Sequence, residues 1–295
     1  MTVQSDSSVK GESLLRHSTF HVQDSLFNTK CDLAEGPVWH DGRLWWVDIE
    51  EGRLLNSDGR VFKAPFPIGT ALPCTSGRWL LAEEEGFSFW DLKGDPLRVW
   101  TRLDGCPEYR FNDAKVAPDG SVWAGTLKRG TLTGDCFFFR LTPDMEAHAE
   151  ISGIGLCNGL DWFGDRFYFT DTGAQTIYVC SLNQTRVFAK IEQGYPDGMT
   201  VDAKGHVWTA IWGEGKILCL DAESAEVIAT VEVPAPHVSS CCFGGDDLGT
   251  LYITTAQQGL SDEQLKEYPQ SGSIFCCRPG VKGFETRLFN DGEIK

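Results

Sequence analysis

Long hydrophobic runs are absent from the 295-residue sequence. Nowhere do about 18 apolar residues follow one another, which is the least that a membrane-spanning helix needs. The first segment, Met1 to Gln23, is polar and lacks the apolar core of a secretory signal peptide. The sequence therefore predicts a cytoplasmic protein with no membrane partner.

Basic residues are also scarce. Lys and Arg number 26 against 42 Asp and Glu, which gives a formal net charge of −16 and an isoelectric point near 4.7. No basic stripe is present to meet phosphates, so nucleic acid is disfavoured as a partner. A cation suits this charge balance better, and no obligatory protein partner is indicated.

Common catalytic motifs are missing as well. The sequence has no G-x-S-x-G elbow, no H-E-x-x-H motif, no P-loop and no dinucleotide fingerprint. These absences argue against a serine or zinc-protease mechanism. The EF-hand pattern is absent too, which gives no support to calcium regulation through that device.

The 11 cysteines show no C-x-x-C spacing, although adjacent pairs occur at Cys241-Cys242 and Cys276-Cys277. They lie in strand-like contexts, which predicts small buried thiols. Disulfides are the alternative, and they would require an oxidising compartment.

The sequence does contain an internal repeat of roughly 40 residues. Each copy has a short opening segment, a turn with Gly, an aromatic-rich strand and a more polar strand. The six opening segments lie near these residues: Glu35, Ala71, Asn112, Asn158, Asp197 and Val238. Because this period is the length of a four-stranded blade, the sequence predicts an all-β, six-bladed β-propeller. No long helical stripe occurs, and Ser261 to Tyr268 is predicted to be one turn in a loop.

The repeat also predicts how the chain is organised. Residues 18–295 are expected to form one propeller domain, preceded by a flexible extension over residues 1–17. The aromatic residues of the strands are expected to pack between neighbouring blades. The segment Thr19 to Phe27 is predicted to complete the last blade, beside Ile274 to Cys277 and Thr286 to Phe289.

Four opening segments carry an oxygen-bearing side chain beside Gly, Asp or Pro. They are Glu35, Asn112, Asn158 and Asp197. Equivalent positions in successive blades surround the central axis, so these side chains are expected to converge. Two carboxylates and two amides form an all-oxygen site of charge −2, which suits a hard divalent cation. Ca²⁺ is expected first, with Zn²⁺, Mn²⁺, Mg²⁺ and Fe²⁺ as alternatives.

Turn chemistry alone explains any one of these residues, because Asn, Asp and Gly are favoured in turns. Four such residues in register across four repeats favour a site instead. Ca²⁺ prefers roughly six to eight oxygens, so four protein ligands would leave positions for water or substrate. The sequence thus predicts an open metal centre at the mouth of the propeller.

The segment from about Leu33 to Phe289 resembles the SMP-30/gluconolactonase/LRE family, also called regucalcin-like. The resemblance rests on several short motifs, among them Ala34-Glu35-Gly36-Pro37, Arg110-Phe111-Asn112-Asp113, Asn158-Gly159-Leu160 and Tyr195-Pro196-Asp197-Gly198. The stretch Ile253 to Ala256, with Gly259 to Asp262, is similar to bacterial sugar-acid lactonases.

This resemblance implies a six-bladed propeller in which Glu35, Asn112, Asn158 and Asp197 hold one metal ion. It further implies that Arg110 contacts substrate and that Asp197 takes part in proton transfer. The expected activity is hydrolysis of a sugar lactone, with Arg110 and Asn112 orienting the substrate. Whether Asp197 deprotonates the attacking water or a metal-bound hydroxide starts the reaction stays open.

Animal-type members of the family carry an acidic substrate contact just after the Ala-Gly-Thr segment, whereas this chain has Leu127 to Gly130 there. The preferred sugar is therefore not defined by the sequence. Two alternatives to a sugar lactonase also remain: a calcium-binding protein without turnover, and a hydrolase of the same fold acting on another ester or an organophosphate.

Overall fold

The computed structural model describes residues 15, 17–23, 25–27, 29–101, 108–182 and 184–292, which form six small β-sheets. The first four sheets each contain four antiparallel strands in sequence order. Blades one and two comprise β2 (Ala34–His40), β3 (Arg43–Asp48), β4 (Arg53–Asn56), β5 (Val61–Lys63), β6 (Ile68–Pro73), β7 (Trp79–Glu83), β8 (Gly86–Trp90) and β9 (Leu97–Thr101). Blades three and four comprise β10 (Tyr109–Val116), β11 (Val122–Lys128), β12 (Cys136–Leu141), β13 (Ala147–Ile154), β14 (Cys157–Phe163), β15 (Arg166–Asp171), β16 (Thr176–Ser181) and β17 (Gln184–Lys190).

The last two sheets depart from the four-strand pattern. Blade five comprises β18 (Tyr195–Val201), β19 (Val207–Trp212), β20 (Lys216–Leu220), β21 (Val227–Glu232) and, parallel to β21, the strand β1 (Ser18–His21). Blade six comprises β22 (Val238–Gly244), β23 (Thr250–Thr255) and β24 (Ile274–Cys277).

The opening strands of the six blades form a closed ring. Each contacts the next, and β22 contacts β2 to complete the circle. These strands contain all six opening segments expected from the repeat, so the prediction of a six-bladed propeller is confirmed.

Six separate hydrophobic cores lie between successive blades, including the boundary between blades six and one. Large aromatic side chains fill them: Trp208 is fully buried between blades five and six, and Trp46 lies between blades six and one. The aromatic residues thus pack between blades as predicted, and their burial supplies the main driving force for closing the ring.

The amino-terminal segment pairs with two blades, whereas the sequence predicted pairing with the last blade alone. Phe20 of β1 lies opposite Val231 of blade five, while the amides of Gln23 and Leu26 donate to carbonyls of β24 in blade six. The pairing with the last blade is therefore confirmed only for the second half of Thr19 to Phe27.

The prediction for Thr286 to Phe289 was wrong. Phe289 forms a β-bridge with Cys74 of blade two and is completely buried there, near Phe89. An apolar ring gains more free energy in the core between blades two and three than on the exposed edge of a sheet, which accounts for the difference.

The predicted extension over residues 1–17 lies mostly outside the described residues. Within it, Leu15 is buried in the core between blades five and six, and the His17 amide donates to the Ile228 carbonyl. The flexibility of the remainder and the domain boundary stay predictions.

A short helix, α1 (Asp262–Glu267), occupies the place of the expected single turn. Ser261 caps it: its hydroxyl accepts from the Gln264 amide, and the Gln264 side chain accepts from the Ser261 amide. In the described part of the chain, no helix is both long and apolar enough to cross a bilayer.

The cysteines behave as the sequence predicted. Ten are described; all are free thiols, and all except the half-buried Cys180 are buried. Burial raises the pKa of Cys31 to about 12, so this thiol stays protonated and unreactive at neutral pH.

Removing the amino-terminal anchor is expected to destabilise the propeller. Leu15→Ala should lower the melting temperature by roughly 5–10 °C, because truncating a buried leucine costs about 2–4 kcal/mol. Leu182→Ala is the matched control, since that side chain is 87% exposed. Thermal unfolding followed by circular dichroism tests this, and equal melting temperatures for the two variants would contradict it. Deleting residues 1–27 is expected to have a larger effect than Leu15→Ala.

Candidate metal centre

Each opening strand contains a β-bulge at the equivalent position, where its register with the second strand shifts. The shifts fall between Glu35 and Val38, Ile68 and Thr70, Phe111 and Ala114, Asn158 and Leu160, Pro196 and Met199, and Val238 and Ser240. Bulges redirect side chains. The side chains of four residues line one cavity of about 360 Å³, as the sequence predicted; they are Glu35, Asn112, Asn158 and Asp197.

At the bulges of their opening strands, blades two and six carry no side chain that lines this cavity. The bulge residue of blade two is Gly69, where an added Cβ would lie 2.4 Å from the Phe111 carbonyl oxygen and 2.5 Å from that of Asn112. A side chain therefore has no room there. In blade six, the Ser239 hydroxyl donates to the Ala34 carbonyl and thereby ties the last blade to the first.

A chain of hydrogen bonds orders the amides of the cavity. Arg110 Nη1 donates to Asn112 Oδ1 at 2.6 Å, and Asn112 Nδ2 donates to Asn158 Oδ1 at 3.2 Å. Asn158 Nδ2 then donates to Thr172 Oγ1 at 3.3 Å, whose hydroxyl donates to the Pro196 carbonyl at 2.8 Å. Both amide oxygens are thus held in fixed orientations, and each retains a lone pair for a further partner.

The two carboxylates are buried together. Glu35 is 7% exposed and Asp197 is 5% exposed. Burial raises the pKa of Glu35 well above its usual range, and the negative charge of Asp197 raises it further. Burial likewise raises the pKa of Asp197, and the nearby Asp113 adds to the effect. Two buried carboxylates that repel each other are stabilised in the ionised form by a cation between them.

These residues fit a hard divalent cation. Asp197 Oδ1 is buried and has no hydrogen-bond partner. Such an atom is costly unless a ligand satisfies it. Among the described residues, no three or more His, Cys, Asp or Glu side chains are grouped to hold a metal ion. Binding here would therefore rely on amide oxygens as well as on the two carboxylates, a donor set typical of hard ions.

Arg110 is the cationic residue among those described as lining the cavity. Its Nε lies 3.3 Å from Glu50 Oε1, and Arg129 holds the same carboxylate with Nη1 at 3.2 Å from both oxygens. Arg129 Nη2 in turn lies 3.2 Å from Glu84 Oε1. Side chains from blades one, two and three thus form a line of alternating charges that ends at Arg110.

This line of charges occupies the region where the sequence lacks the expected acidic contact. Arg129 belongs to that very segment, and Glu50 is the acidic group that it brings next to Arg110. Sequence reasoning missed Glu50. Of the neighbouring acidic side chains, Glu84 is linked to Arg129, whereas Glu85 pairs with Arg98 on blade two.

The walls of the cavity are largely apolar. Besides Thr172 and Gln258, they are formed by Leu33, Leu127, Leu132, Leu156, Tyr195 and Trp212. Apart from Tyr195, which belongs to one of the quoted motifs, these residues carried no signal in the sequence that distinguishes a cavity wall from ordinary core. The site therefore combines a polar floor with apolar walls, as small-molecule pockets commonly do.

Asp113 is the neighbour of Asn112 but faces a second, smaller cavity of about 90 Å³. That cavity also contains the ion pair of Lys115 and Asp161, 2.6 Å apart, with Arg287 closing it. Burial raises the pKa of Asp113 to about 6. Charged side chains therefore line this second cavity as well as the first.

Comparison with known proteins agrees with this architecture. The family described as SMP-30/gluconolactonase/LRE-like region matches residues 33–257. Pentonolactonase XacC of Haloferax volcanii is 37% identical over 251 residues, which cover 78% of this chain and 84% of the relative. Regucalcin of Danio rerio is 32% identical over 281 residues, which cover 88% and 95%.

A solved structure shares the same fold. Regucalcin of Agrobacterium tumefaciens, described as a calcium-binding protein, superposes with a TM-score of 0.87 at 27% identity and covers 92% of this chain and 99% of its own. Because the family match extends over most of the propeller, including Glu35, Asn112, Asn158 and Asp197, the chain belongs to the SMP-30/gluconolactonase/LRE-like family, which includes lactonases and regucalcins.

Proposed function

We propose that this protein is a metal-dependent lactonase that hydrolyses a sugar lactone to the open-chain sugar acid. The observation that carries the proposal is the ring of four oxygen donors in an open cavity, with Asp197 Oδ1 buried and unpartnered. Membership of a family that includes a pentonolactonase supports the choice of substrate class.

In this proposal Glu35, Asn112, Asn158 and Asp197 hold one divalent cation, with Ca²⁺ as the first choice. The bound cation would polarise the lactone carbonyl and stabilise the negative charge that develops on its oxygen. The protein provides only four oxygens, which leaves room for the substrate beside them.

Asp197 is the proposed proton acceptor. Its carboxylate lines the cavity beside the other oxygen donors, so it is in place to accept a proton from a water bound there. The water oxygen forms a bond to the carbonyl carbon while Asp197 accepts the water proton. The bond from that carbon to the ring oxygen then breaks, and the ring oxygen takes the proton from Asp197 to become a hydroxyl group, which restores the Asp197 carboxylate.

Arg110 and Asn112 are the proposed orienting groups. The Arg110 guanidinium is buried, and Glu50, Asn112 and the Phe111 carbonyl hold it in place. A guanidinium held in this way is arranged before the substrate arrives, so little entropy is lost in positioning the lactone oxygens. Glu50 forms an ion pair with Arg110, and Arg129 holds the same Glu50 carboxylate in place.

A second candidate function is cation binding without turnover. The relative of known structure is described as a calcium-binding protein, and regucalcins are among the sequence relatives. The same ligand ring would serve this function. It differs from the first in predicting no acid release from any lactone.

A lactone panel separates the two candidates. Glucono-, xylono-, arabinono- and galactonolactones would be supplied to the protein with Ca²⁺, Mn²⁺, Mg²⁺, Zn²⁺ or Fe²⁺, and acid release would be followed with a pH indicator. We expect turnover of at least one lactone, with loss of activity in excess chelator and recovery when the cation is restored. Acid release at the spontaneous rate for every lactone and metal would reject the lactonase and leave the cation-binding function. Unchanged activity in chelator would reject the metal dependence.

A further inference from the structure

Two aromatic residues that are neighbours across a strand pair lie on one wall of the cavity. Tyr195 opens β18 and Trp212 ends β19, and the two are directly paired across the strands. Both line the cavity, and Tyr195 is 44% exposed. An exposed Tyr beside a half-buried Trp at the mouth of a pocket offers a flat surface to a ligand.

Contacts with His237 hold the Trp212 side chain in place. The ring of His237 stacks on it, with ring centroids 4.1 Å apart and an angle of 17° between the planes. The backbones of Trp212 and His237 form a β-bridge, and His237 Nδ1 lies 2.9 Å from the Gln258 carbonyl oxygen. Trp212 is therefore fixed in orientation before any ligand binds, which reduces the entropy lost on binding.

The position of this aromatic pair matches the size of a single sugar ring. Tyr195 precedes Asp197 by two residues on the same strand, roughly 7 Å along the strand direction. Most of the other wall residues are leucines, whose side chains cannot donate or accept hydrogen bonds, and the polar ones are Thr172 and Gln258; the leucines are Leu33, Leu127, Leu132 and Leu156. Recognition of the distal part of a ligand must therefore rely mainly on shape and ring stacking.

We propose that Trp212, backed by His237 and flanked by Tyr195, is the residue against which the C–H face of the lactone ring stacks, and that it determines substrate specificity. This inference rests on the proposed lactonase function. Substrate selection is thereby assigned to the aromatic wall, because this chain lacks the acidic substrate contact expected after its Ala-Gly-Thr segment. A stacking surface of this kind favours lactones that have one ring face free of hydroxyl groups.

The test uses three substitutions of Trp212 in the full-length, cation-loaded protein. Trp212→Ala and Trp212→Leu are expected to raise KM for the best lactone about tenfold with little change in kcat, because stacking binds ground state and transition state alike. Trp212→Phe should stay within about threefold of the wild type, since it keeps an aromatic face. Trp212→Leu retains apolar bulk and so separates stacking from simple filling of space. Trp39→Phe, on a ring that stacks on Tyr252 away from the cavity, is the matched control.

The outcomes distinguish this inference from the function on which it rests. A normal KM in both Trp212→Ala and Trp212→Leu, with an active wild type, would overturn the aromatic wall and leave the lactonase intact. A wild type inactive on all lactones would reject the proposed function. Calorimetric titration with the sugar acids would then decide whether Trp212 binds a sugar ring, and equal affinities of wild type and Trp212→Leu would overturn that too. In each variant, an unchanged rise in melting temperature on adding Ca²⁺ verifies that the ligand ring is intact.

Discussion

Replacing Asp197 by Asn is expected to reduce kcat for lactone hydrolysis on the order of 10³-fold or more. The substitution keeps the shape of the side chain but removes the proton acceptor and one negative charge of the ligand ring. Asp197 Oδ1 is a buried oxygen with no hydrogen-bond partner among the described residues, so in the wild type it is available to a cation or a proton. Steady-state kinetics at saturating cation measure the effect.

Asp247→Asn is the control for this experiment. Asp247 is exposed and paired with Arg278 on the outer part of blade six, so its replacement should leave kcat within about twofold of the wild type. Metal content must be measured beside the rate. If Asp197→Asn binds cation fully and retains substantial activity, Asp197 is not the base and the proposed mechanism is wrong.

Glu35→Gln is expected to have opposite effects on stability with and without cation. In the wild type, saturating Ca²⁺ should raise the melting temperature by roughly 5–10 °C, because a ligand at 100 times its Kd contributes about 2.7 kcal/mol. The variant should lose most of this gain, since it lacks one of the two carboxylates. In chelator at pH 8, however, the variant is expected to be more stable than the wild type.

The second effect follows from the raised pKa of Glu35, whose ordinary value is 4.5. The folded protein holds the proton more tightly than the unfolded chain. Without cation, the stability that this group contributes is complete below pH 4.5 and is lost as the pH rises through the folded pKa. Glutamine does not ionise, so the variant escapes that loss.

Melting curves between pH 4 and 9, in chelator and in Ca²⁺, test both effects together. Glu226→Gln is the matched control, because Glu226 is exposed at the rim of blade five and its replacement should follow the wild type in both series. If Glu35→Gln gains as much from Ca²⁺ as the wild type, Glu35 is not a ligand. If it is less stable than the wild type in chelator at pH 8, the buried carboxylate is not a source of strain.

The sequence was sufficient to predict the propeller and the convergence of four oxygen-bearing side chains in one cavity. The repeat of strands and turns is local, because each blade is made from neighbouring segments and shows its own hairpin pattern. Glu35, Asn112, Asn158 and Asp197 could be found because equivalent positions in a ring must meet at its axis. The register shifts in all six opening strands agree with that equivalence.

The departures from the prediction involve residues with no repeat partner. The course of β1 along blade five and the burial of Phe289 in blade two depend on which cores had room for an apolar side chain. A segment outside the repeat has no equivalent in the other blades, so the sequence pattern does not predict which blade it packs against. The predicted positions at the chain ends were therefore only partly correct.

From the sequence alone, this protein is a six-bladed propeller with four oxygen donors around its axis, because equivalent positions of successive repeats lie around the same central axis. Only the tertiary structure decided what surrounds those donors. It placed Glu50 and Arg129 behind Arg110, left Asp197 Oδ1 without a partner, and stacked His237 on Trp212. These contacts join side chains from different blades, and their distances depend on how the blades pack, which no local pattern encodes.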